Sequence, residues 1–322
     1  MRHTVERSSG CGEFVPAYIG LLERGELAER ADAALRHLQS CDLCARYCRV
    51  DRRRTVEGAV CRTGEKARVA SYGAHHGEED CLSGDRGSGT IFFSWCNLRC
   101  VFCQNWDISQ KGSGKETGTH ALADRMLELQ AQDCHNINFV SPSHVVAQII
   151  AAVDDAARRG LRLPLVYNTG GYDSLEALQL LEGIIDIYMP DMKYGDAEMA
   201  RRYSKVRDYV EANRAAVREM HRQVGDLVLD SQGVARRGLL VRHLVLPGNL
   251  AGTEGMLAFL ANEVSRNTYI NIMDQYHPCY RAEETPPLRR SLRPEEFRDA
   301  LATAERLGLS RLDHRAARVR RW

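Results

Sequence analysis

Three closely spaced cysteines give the strongest chemical signal in the sequence: Cys96, Cys100 and Cys103, in the pattern C-x3-C-x2-C. Three thiolates in one short segment can surround one face of a four-iron cluster, because soft sulfur ligands suit iron–sulfur sites. No further cysteine belongs to this motif, so one iron would lack a protein ligand, which is typical of a catalytic site. The alternative is a zinc site that a distant residue such as His135 completes.

A second group of cysteines lies nearer the start of the chain: Cys41, Cys44, Cys48 and Cys61. Four thiolates can saturate a metal site, so this one would be structural or electron-carrying rather than open to a ligand. Zinc and an auxiliary [4Fe–4S] cluster both fit, and we favour iron–sulfur. Because little apolar sequence orders the segment, metal binding should supply much of its local folding free energy. The alternative is that these cysteines bind nothing.

Short apolar segments alternate with helical patterns after residue 89, which predicts a parallel sheet. The predicted strands are 90–95, 136–141, 163–168, 184–190, 239–246 and 269–273, with a small hairpin at 227–233. The predicted helices are 121–132, 144–159, 174–181, 196–224, 255–264 and 294–307. Six β/α units are too few to close an eight-stranded barrel, so the predicted fold class is α/β with a partial (β/α)6 barrel.

Two domains are predicted. Residues 1–87 would form a small helical and cysteine-rich metal-binding module, and residues 88–322 the barrel with a C-terminal helix. Leu27, Ala31, Ala34 and Leu38 recur at helical spacing and place one or two helices within residues 16–40. From there to residue 87 no strand is predicted. Ligands of parallel sheets bind at the carboxyl ends of the strands, so these ends should carry the chemistry.

The composition of the chain argues against several classes of function. Lys and Arg number 44 against 43 for Asp and Glu, and this balance argues against a nucleic-acid-binding protein. The start of the chain lacks the apolar run of a secretory signal, and no segment reaches the length of a membrane span. We therefore expect a cytoplasmic protein without a membrane partner. In that reducing compartment eleven cysteines indicate metal sites rather than disulfides.

Charged residues follow or interrupt two of the predicted strands. Asp191 and Lys193 come directly after a buried strand, where charged groups need partners; the alternative is a surface ion pair. Arg242 lies within an apolar strand and therefore needs an anionic partner. The neighbouring His243 is more typical of a hydrogen-bonded core histidine than of a catalytic one.

The cysteine motif, with Phe102 before its third cysteine, resembles the radical S-adenosylmethionine (SAM) superfamily. Longer segments resemble the PflX-type homologues of pyruvate formate-lyase activating enzyme. These segments are Gly-Ser-Gly-Thr-Ile-Phe-Phe-Ser (87–94), Asn-Ile-Asn-Phe-Val-Ser-Pro-Ser-His (136–144), Val-Tyr-Asn-Thr-Gly-Gly-Tyr (166–172), Asp-Ile-Tyr-Met-Pro-Asp-Met-Lys-Tyr (186–194) and Val-Arg-His-Leu-Val-Leu-Pro-Gly (241–248).

The resemblance implies that Cys96, Cys100 and Cys103 hold a [4Fe–4S] cluster whose fourth iron binds SAM. In activating enzymes an Asp-Thr pair and a further Asp hold a monovalent cation beside the SAM carboxylate; the matching residues are Asn168, Thr169 and Asp191. Asp191→Ala should then weaken SAM binding and leave the melting temperature nearly unchanged. The full set of implied cofactor-binding residues is Phe102, Ser141, Ser143, Asn168, Thr169, Asp191, Lys193 and Arg242.

The resulting hypothesis is a radical SAM oxidoreductase. A reduced cluster would cleave SAM to a 5′-deoxyadenosyl radical, which abstracts hydrogen from a substrate. The substrate would be a small molecule, or a glycine of a partner glycyl-radical enzyme, and the electron donor a protein such as flavodoxin or ferredoxin. The alternative is a non-catalytic iron–sulfur sensor or electron carrier. An effect of SAM on the spectrum of the reduced cluster distinguishes the two.

Overall fold

Within residues 14–313, which the computed structural model describes, a sheet of nine strands forms the centre of the fold. The strands are β1 (Ala67–His75), β2 (Ser88–Phe93), β3 (Lys115–Thr117), β4 (Ile137–Val140), β5 (Leu165–Thr169), β6 (Ile187–Pro190), β7 (Val228–Leu229), β8 (Ala235–Leu244) and β9 (Tyr269–Met273). Parallel pairing runs in the order β2-β4-β5-β6-β8-β9. β7 pairs antiparallel with β8, as predicted for the hairpin. The partial α/β barrel is confirmed.

Helices cover the outer face of this sheet. They are α1 (Ala17–Glu23), α2 (Glu26–Arg36), α3 (Asp80–Ser83), α4 (Trp106–Ser109), α5 (Thr119–Ala131), α6 (Val146–Arg158), α7 (Leu175–Leu181), α8 (Ala197–Ser204), α9 (Tyr209–Val224), α10 (Thr253–Phe259) and α11 (Pro294–Arg306). None of the helices within residues 14–313 is long and apolar enough to cross a membrane.

Side chains alternate between the two faces of the sheet, as strand geometry requires. Phe139, Tyr167 and Tyr188 are register neighbours on β4, β5 and β6, and all three are fully buried in the main core. The residues next to them along the strands, such as Val166 and Ile187, belong to a separate apolar cluster inside the barrel. β5 and β6 are therefore buried on both faces, which explains their largely apolar sequences.

The N-terminal helices pack directly on the barrel. The backbone N–H of Ala17 donates to Asp186 (2.8 Å), and the hydroxyl of Tyr18 donates to the carbonyl of Leu163 (3.0 Å). β1 pairs antiparallel with β2, so the predicted boundary at residue 87 falls between two paired strands. The sequence did not predict β1, because it lies towards the edge of the sheet and half of its side chains are exposed.

The predicted helix 196–224 is two helices in the structure. α8 ends at Ser204, because Lys205 takes a left-handed conformation (φ 58°), and α9 begins at Tyr209. The break frees the carbonyl groups of Tyr203 and Ser204 to accept hydrogen bonds from the segment around Cys100. The polar start of the chain and the residues after 313 lie outside the described part.

Candidate functional site

A cleft of about 270 Å³ opens at the carboxyl ends of the parallel strands. The loop after β2 forms one wall, and the ends of β4, β5, β6, β8 and β9 form the others. The lining residues are Cys96, Leu98, Cys100, Phe102, Cys103, Gln104, Asn105, Ser109, Gln110, Val140, Ser141, Asn168, Thr169, Gly170, Asp191, Lys193, Arg242, Leu244, Met273 and Gln275. This position is where ligands of parallel α/β folds bind.

The three thiols of the C-x3-C-x2-C motif all face this cleft, and we call them the three-thiol site. Polar groups lie close to each sulfur. Ser204 Oγ is 2.9 Å from Cys100 Sγ, Ser109 Oγ is 3.1 Å from Cys103 Sγ, and the backbone N–H of Leu98 donates to Cys96 Sγ at 3.4 Å. Hydrogen bonds to sulfur orient metal-ligating thiolates and tune their electronic properties.

The chemistry of this donor set fits a four-iron cluster. Burial raises the pKa of Cys96 to about 12, and it also raises the pKa of Cys100 and Cys103. Such thiols ionise only when metal binding replaces the proton. Among the described residues, the lining of the cleft contains no further cysteine or histidine, which leaves one iron of a cluster open to a small ligand.

Three charged side chains meet at the strand ends that face the three thiols. Asp191 accepts hydrogen bonds from Lys193 Nζ (2.5 Å) and from Arg242 Nε (2.9 Å). Burial alone would raise the pKa of Asp191, but the charges of Arg242 and Lys193 outweigh burial and lower it. The Asp191 side chain is only 16% exposed, so this is an ion pair within the cleft rather than the surface pair considered above. The anionic partner predicted for Arg242 is confirmed.

The residues predicted to hold a monovalent cation bond to protein groups in the structure. Arg242 Nη2 donates to Asn168 Oδ1 (2.7 Å), so one guanidinium group bonds to both Asn168 and Asp191. The hydroxyl of Thr169 donates to Asp173 (2.6 Å) and accepts from the backbone N–H of Gly171 (3.0 Å). The three oxygen groups predicted to hold the cation are therefore already used, and the positive charge of Arg242 lies between two of them.

Two of the remaining predicted residues line the cleft and one does not. Phe102 lies in the wall and packs edge-on against Tyr276 (ring centroids 6.1 Å apart). Ser141 lies at the end of β4 in a left-handed conformation (φ 59°). Ser143 is buried behind the strand, and its hydroxyl donates to Thr169 Oγ1 (2.9 Å). Ser143 thus supports the strand end instead of facing a ligand.

The N-terminal cysteines form a separate group. Cys41, Cys44, Cys48 and Cys61 line one small cavity, and we call them the four-thiol site. Within residues 14–313 no three His, Cys, Asp or Glu side chains converge closely enough to share a single metal ion. Four thiolates around one cavity can hold either a zinc ion or a [4Fe–4S] cluster.

Comparison with known proteins identifies the family. Residues 90–230 match the model of the radical SAM superfamily. An uncharacterized protein of Methanocaldococcus jannaschii is 31% identical over 287 residues, covering 87% of this chain and 78% of that protein. The chain belongs to the radical SAM superfamily. The matched region of this radical SAM protein contains the three-thiol site, β4, β5, β6 and the Asp191–Lys193 pair.

Several solved structures are also similar in part. A structure of TYW1 with a lysine-pyruvate adduct bound has a TM-score of 0.42 at 12% identity, covering 68% of this chain and 72% of that one. A radical SAM methyltransferase from Sphaerobacter thermophilus has a TM-score of 0.45 at 12% identity, covering 68% and 64%. The methyltransferase TsrM from Kitasatospora setae, with cobalamin and a [4Fe–4S] cluster bound, has a TM-score of 0.43 at 19% identity, covering 58% and 36%.

The structure adds two supporting residues of this radical SAM protein that the sequence did not single out. The hydroxyl of Tyr209 lies 2.9 Å from the carbonyl of Gly170, and Asn213 Nδ2 donates to the carbonyls of Gly171 (2.9 Å) and Asp191 (3.0 Å). α9 thereby fixes the ends of β5 and β6. Gly171 has a φ of 74°, and a Cβ there would lie 2.2 Å from Asn213 and from the Asp191 carbonyl. The sequence signal for Asn213 was a polar residue on the face of a predicted helix that its apolar neighbours mark as buried.

His243 is a core histidine, as predicted. Its ring nitrogens bond to the carbonyl of Met192 (2.7 Å) and to the hydroxyl of Thr253 (2.9 Å), and the side chain is fully buried. Burial lowers the pKa of His243 from 6.5 to about 4. Catalysis by His243 would need access to the cleft, whose lining does not include it.

This burial predicts a pH effect on stability. Between pH 6.5 and about 4 the unfolded chain binds a proton at His243 and the folded chain does not, so stability falls as the pH falls. The free energy of unfolding should fall by about 1.4 kcal/mol for each pH unit below 6.5 in this range. Urea unfolding of the parent and His243→Asn at several pH values measures it. The variant should show a shallower dependence, and parallel curves would contradict the assignment.

Proposed function

We propose that this protein binds a [4Fe–4S] cluster through the three-thiol site and cleaves SAM reductively beside it. The observation that carries the proposal is the single cleft into which three thiols and the charged ends of β6 and β8 open, in a chain of the radical SAM superfamily. An electron carrier gains nothing from an open iron that faces such a cleft. The same feature argues against the non-catalytic alternative.

The residues of the cleft match the chemical groups of SAM. Lys193 and Arg242 can bind its carboxylate, because charge-assisted hydrogen bonds to a carboxylate are strong. Leu98, Leu244 and Met273 give the cleft an apolar part that excludes water from a reactive species. When bound, the reduced cluster supplies one electron to the sulfonium of SAM, whose carbon–sulfur bond breaks to give methionine and a 5′-deoxyadenosyl radical.

Two classes of substrate are compatible with this proposal. Activation of a glycyl-radical enzyme rests on the sequence resemblance to activating enzymes, including Asp191-Met192-Lys193. A small-molecule substrate fits a cleft of this volume equally well. In either case the radical removes a hydrogen atom from the substrate and forms 5′-deoxyadenosine.

The test is an anaerobic incubation of the iron-reconstituted protein with dithionite and SAM. Mass spectrometry should detect methionine and 5′-deoxyadenosine in equal amounts, and a mixture without dithionite should contain neither. Electron paramagnetic resonance (EPR) of the reduced protein should change when SAM is added. A reduced cluster whose spectrum ignores SAM, together with no product, would favour the electron-carrier alternative.

The placement of Arg242 predicts that SAM cleavage needs no alkali cation. The guanidinium group already neutralises Asp191 and bonds to Asn168, so a Na⁺ or K⁺ ion would have to compete with it for these oxygens. Initial rates should agree in sodium, potassium and tetramethylammonium buffers of equal ionic strength. Strong activation by one alkali ion would contradict this account of the cleft.

A further inference from the structure

A buried arginine lies against the four-thiol site. Arg52 is 2% exposed, and its guanidinium donates to the carbonyls of Thr63 (2.7 Å) and Gly64 (3.1 Å) and to Cys41 Sγ (3.5 Å). Among the ion pairs of the described residues, none involves Arg52. A buried positive charge without a counter-charge is costly, so this guanidinium needs anions nearby.

The thiols are the groups around Arg52 that can supply that charge. Cys41, Cys44 and Cys61 all interact electrostatically with it. Four thiolates on an iron–sulfur cluster or a metal ion leave the site with net negative charge, whereas four neutral thiols leave Arg52 unpaired. The arginine therefore indicates a metal-loaded site, independently of cysteine spacing.

Asn97 lies between the four-thiol site and the three-thiol site. The Asn97 side chain lies close enough to Cys44 of the first site to influence its thiol, and its Oδ1 lies 3.8 Å from Cys96 Sγ of the second. Its amide is held in place, since Nδ2 donates to the carbonyl of Tyr172 (2.7 Å). Arg46 Nε donates to the carbonyl of Asn97 (2.7 Å), so a hydrogen bond links the segment of the four-thiol site to that of the three-thiol site.

We propose that the four-thiol site holds a second [4Fe–4S] cluster that passes electrons to the three-thiol site across Asn97. This relay rests on the proposed SAM cleavage. Cys41, Cys44, Cys48 and Cys61 would hold the second cluster, which would take one electron from a low-potential protein donor. It would return to its oxidised state on passing that electron to the cluster at Cys96, so that one electron would be used for each SAM cleaved.

The surface beside the four-thiol site suits an acidic electron donor. Residues 41–64 contain six arginines, one of which is the buried Arg52, against three carboxylates. Two of these carboxylates, Asp42 and Asp51, pair with Arg49 and Arg54, so the segment keeps a net positive charge. Arg49 and Arg54 are well exposed, with 55% and 83% of their side chains accessible. Cys48 is partly exposed, so this side of the cluster lies nearest to a docked donor. Complementary charge accelerates such an encounter.

The first test counts iron after anaerobic reconstitution. The parent should bind about eight irons and eight sulfides per chain, four in each cluster. Replacing Cys41, Cys44, Cys48 and Cys61 by Ser should leave about four, and so should replacing the three-thiol site by Ala. Arg52→Met should lower the iron content, whereas the exposed control Arg54→Met should not. A parent with about four irons, or with zinc, would overturn the second cluster.

The second test measures proximity without any activity. In the fully reduced parent the two paramagnetic clusters should broaden or split each other's EPR signals. Each cysteine variant should lose this interaction and show one simple signal. Two independent, unbroadened signals in a parent that carries both clusters would overturn the relay.

The third test separates the relay from SAM cleavage itself. The quadruple serine variant should still form 5′-deoxyadenosine with dithionite, which can reach the cleft directly. With reduced flavodoxin as donor its SAM cleavage should be lost. Cleavage at the parental rate with flavodoxin would overturn the relay and leave the proposed function intact. Absence of cleavage in the parent with either donor would contradict the proposed function instead.

Discussion

Replacing Cys96, Cys100 and Cys103 together by alanine is expected to reduce 5′-deoxyadenosine formation to the level of a protein-free mixture. The three thiols face one cleft, and no further cysteine or histidine of the described residues lines it, so these thiols would anchor the cluster there. The measurement is product by mass spectrometry after anaerobic incubation with dithionite and SAM.

Cys134→Ala is a matched control, because Cys134 is also buried but does not line the cleft. It should cleave SAM at the parental rate. Circular dichroism of the triple variant should show the parental helix content, since the thiols lie in a loop rather than in the barrel core. Product at the parental rate in the triple variant would show that the site is wrongly assigned.

Asp191→Ala is expected to lower both SAM affinity and stability. Removing the carboxylate leaves Arg242 and Lys193 close together without their shared counter-charge. Breaking a buried ion pair in this way costs about 3 kcal/mol, the low end of the usual range because the cleft admits some water. The sequence alone predicted a nearly unchanged melting temperature, since it placed Asp191 at the end of a parallel strand, where side chains face a ligand. Urea unfolding and SAM titration measure the two effects.

Asp154→Ala provides the control for this variant. Asp154 pairs with Arg158 on the outer face of α6, and its side chain is 18% exposed, close to the 16% of Asp191. Its loss should cost only about 0.5 kcal/mol and leave SAM affinity unchanged. Equal stability losses in the two variants would mean that the charges in the cleft do not act as a coupled group.

The apolar pattern predicted the parallel strands because each is covered on both faces, as at Leu165–Thr169. β1 was not predicted, because its sequence shows no repeating apolar pattern. It is recognised as a strand by its backbone pairing with β2. Motif spacing and strand prediction placed the three-thiol site and Asp191 at the carboxyl ends of the parallel strands, where the structure has them. It could not show that Arg242 reaches across β6 to Asn168 on β5, since that contact joins residues 74 positions apart. The role of Ser143 was missed for the same reason.

Because the barrel does not close, its sheet keeps two edges, and both are protected against pairing with another copy of the chain. At one edge, β3 is only three residues long and exposes Lys115 and Glu116. At the other, Ile270 of β9 exchanges backbone hydrogen bonds with Arg311 (3.0 Å) and Asp313 (2.9 Å). Short, charged or covered edges suppress edge-to-edge aggregation. The concentrated solutions that spectroscopy of iron–sulfur proteins requires should therefore remain free of sheet-mediated aggregates, whereas truncation before residue 311 would expose β9 and promote them.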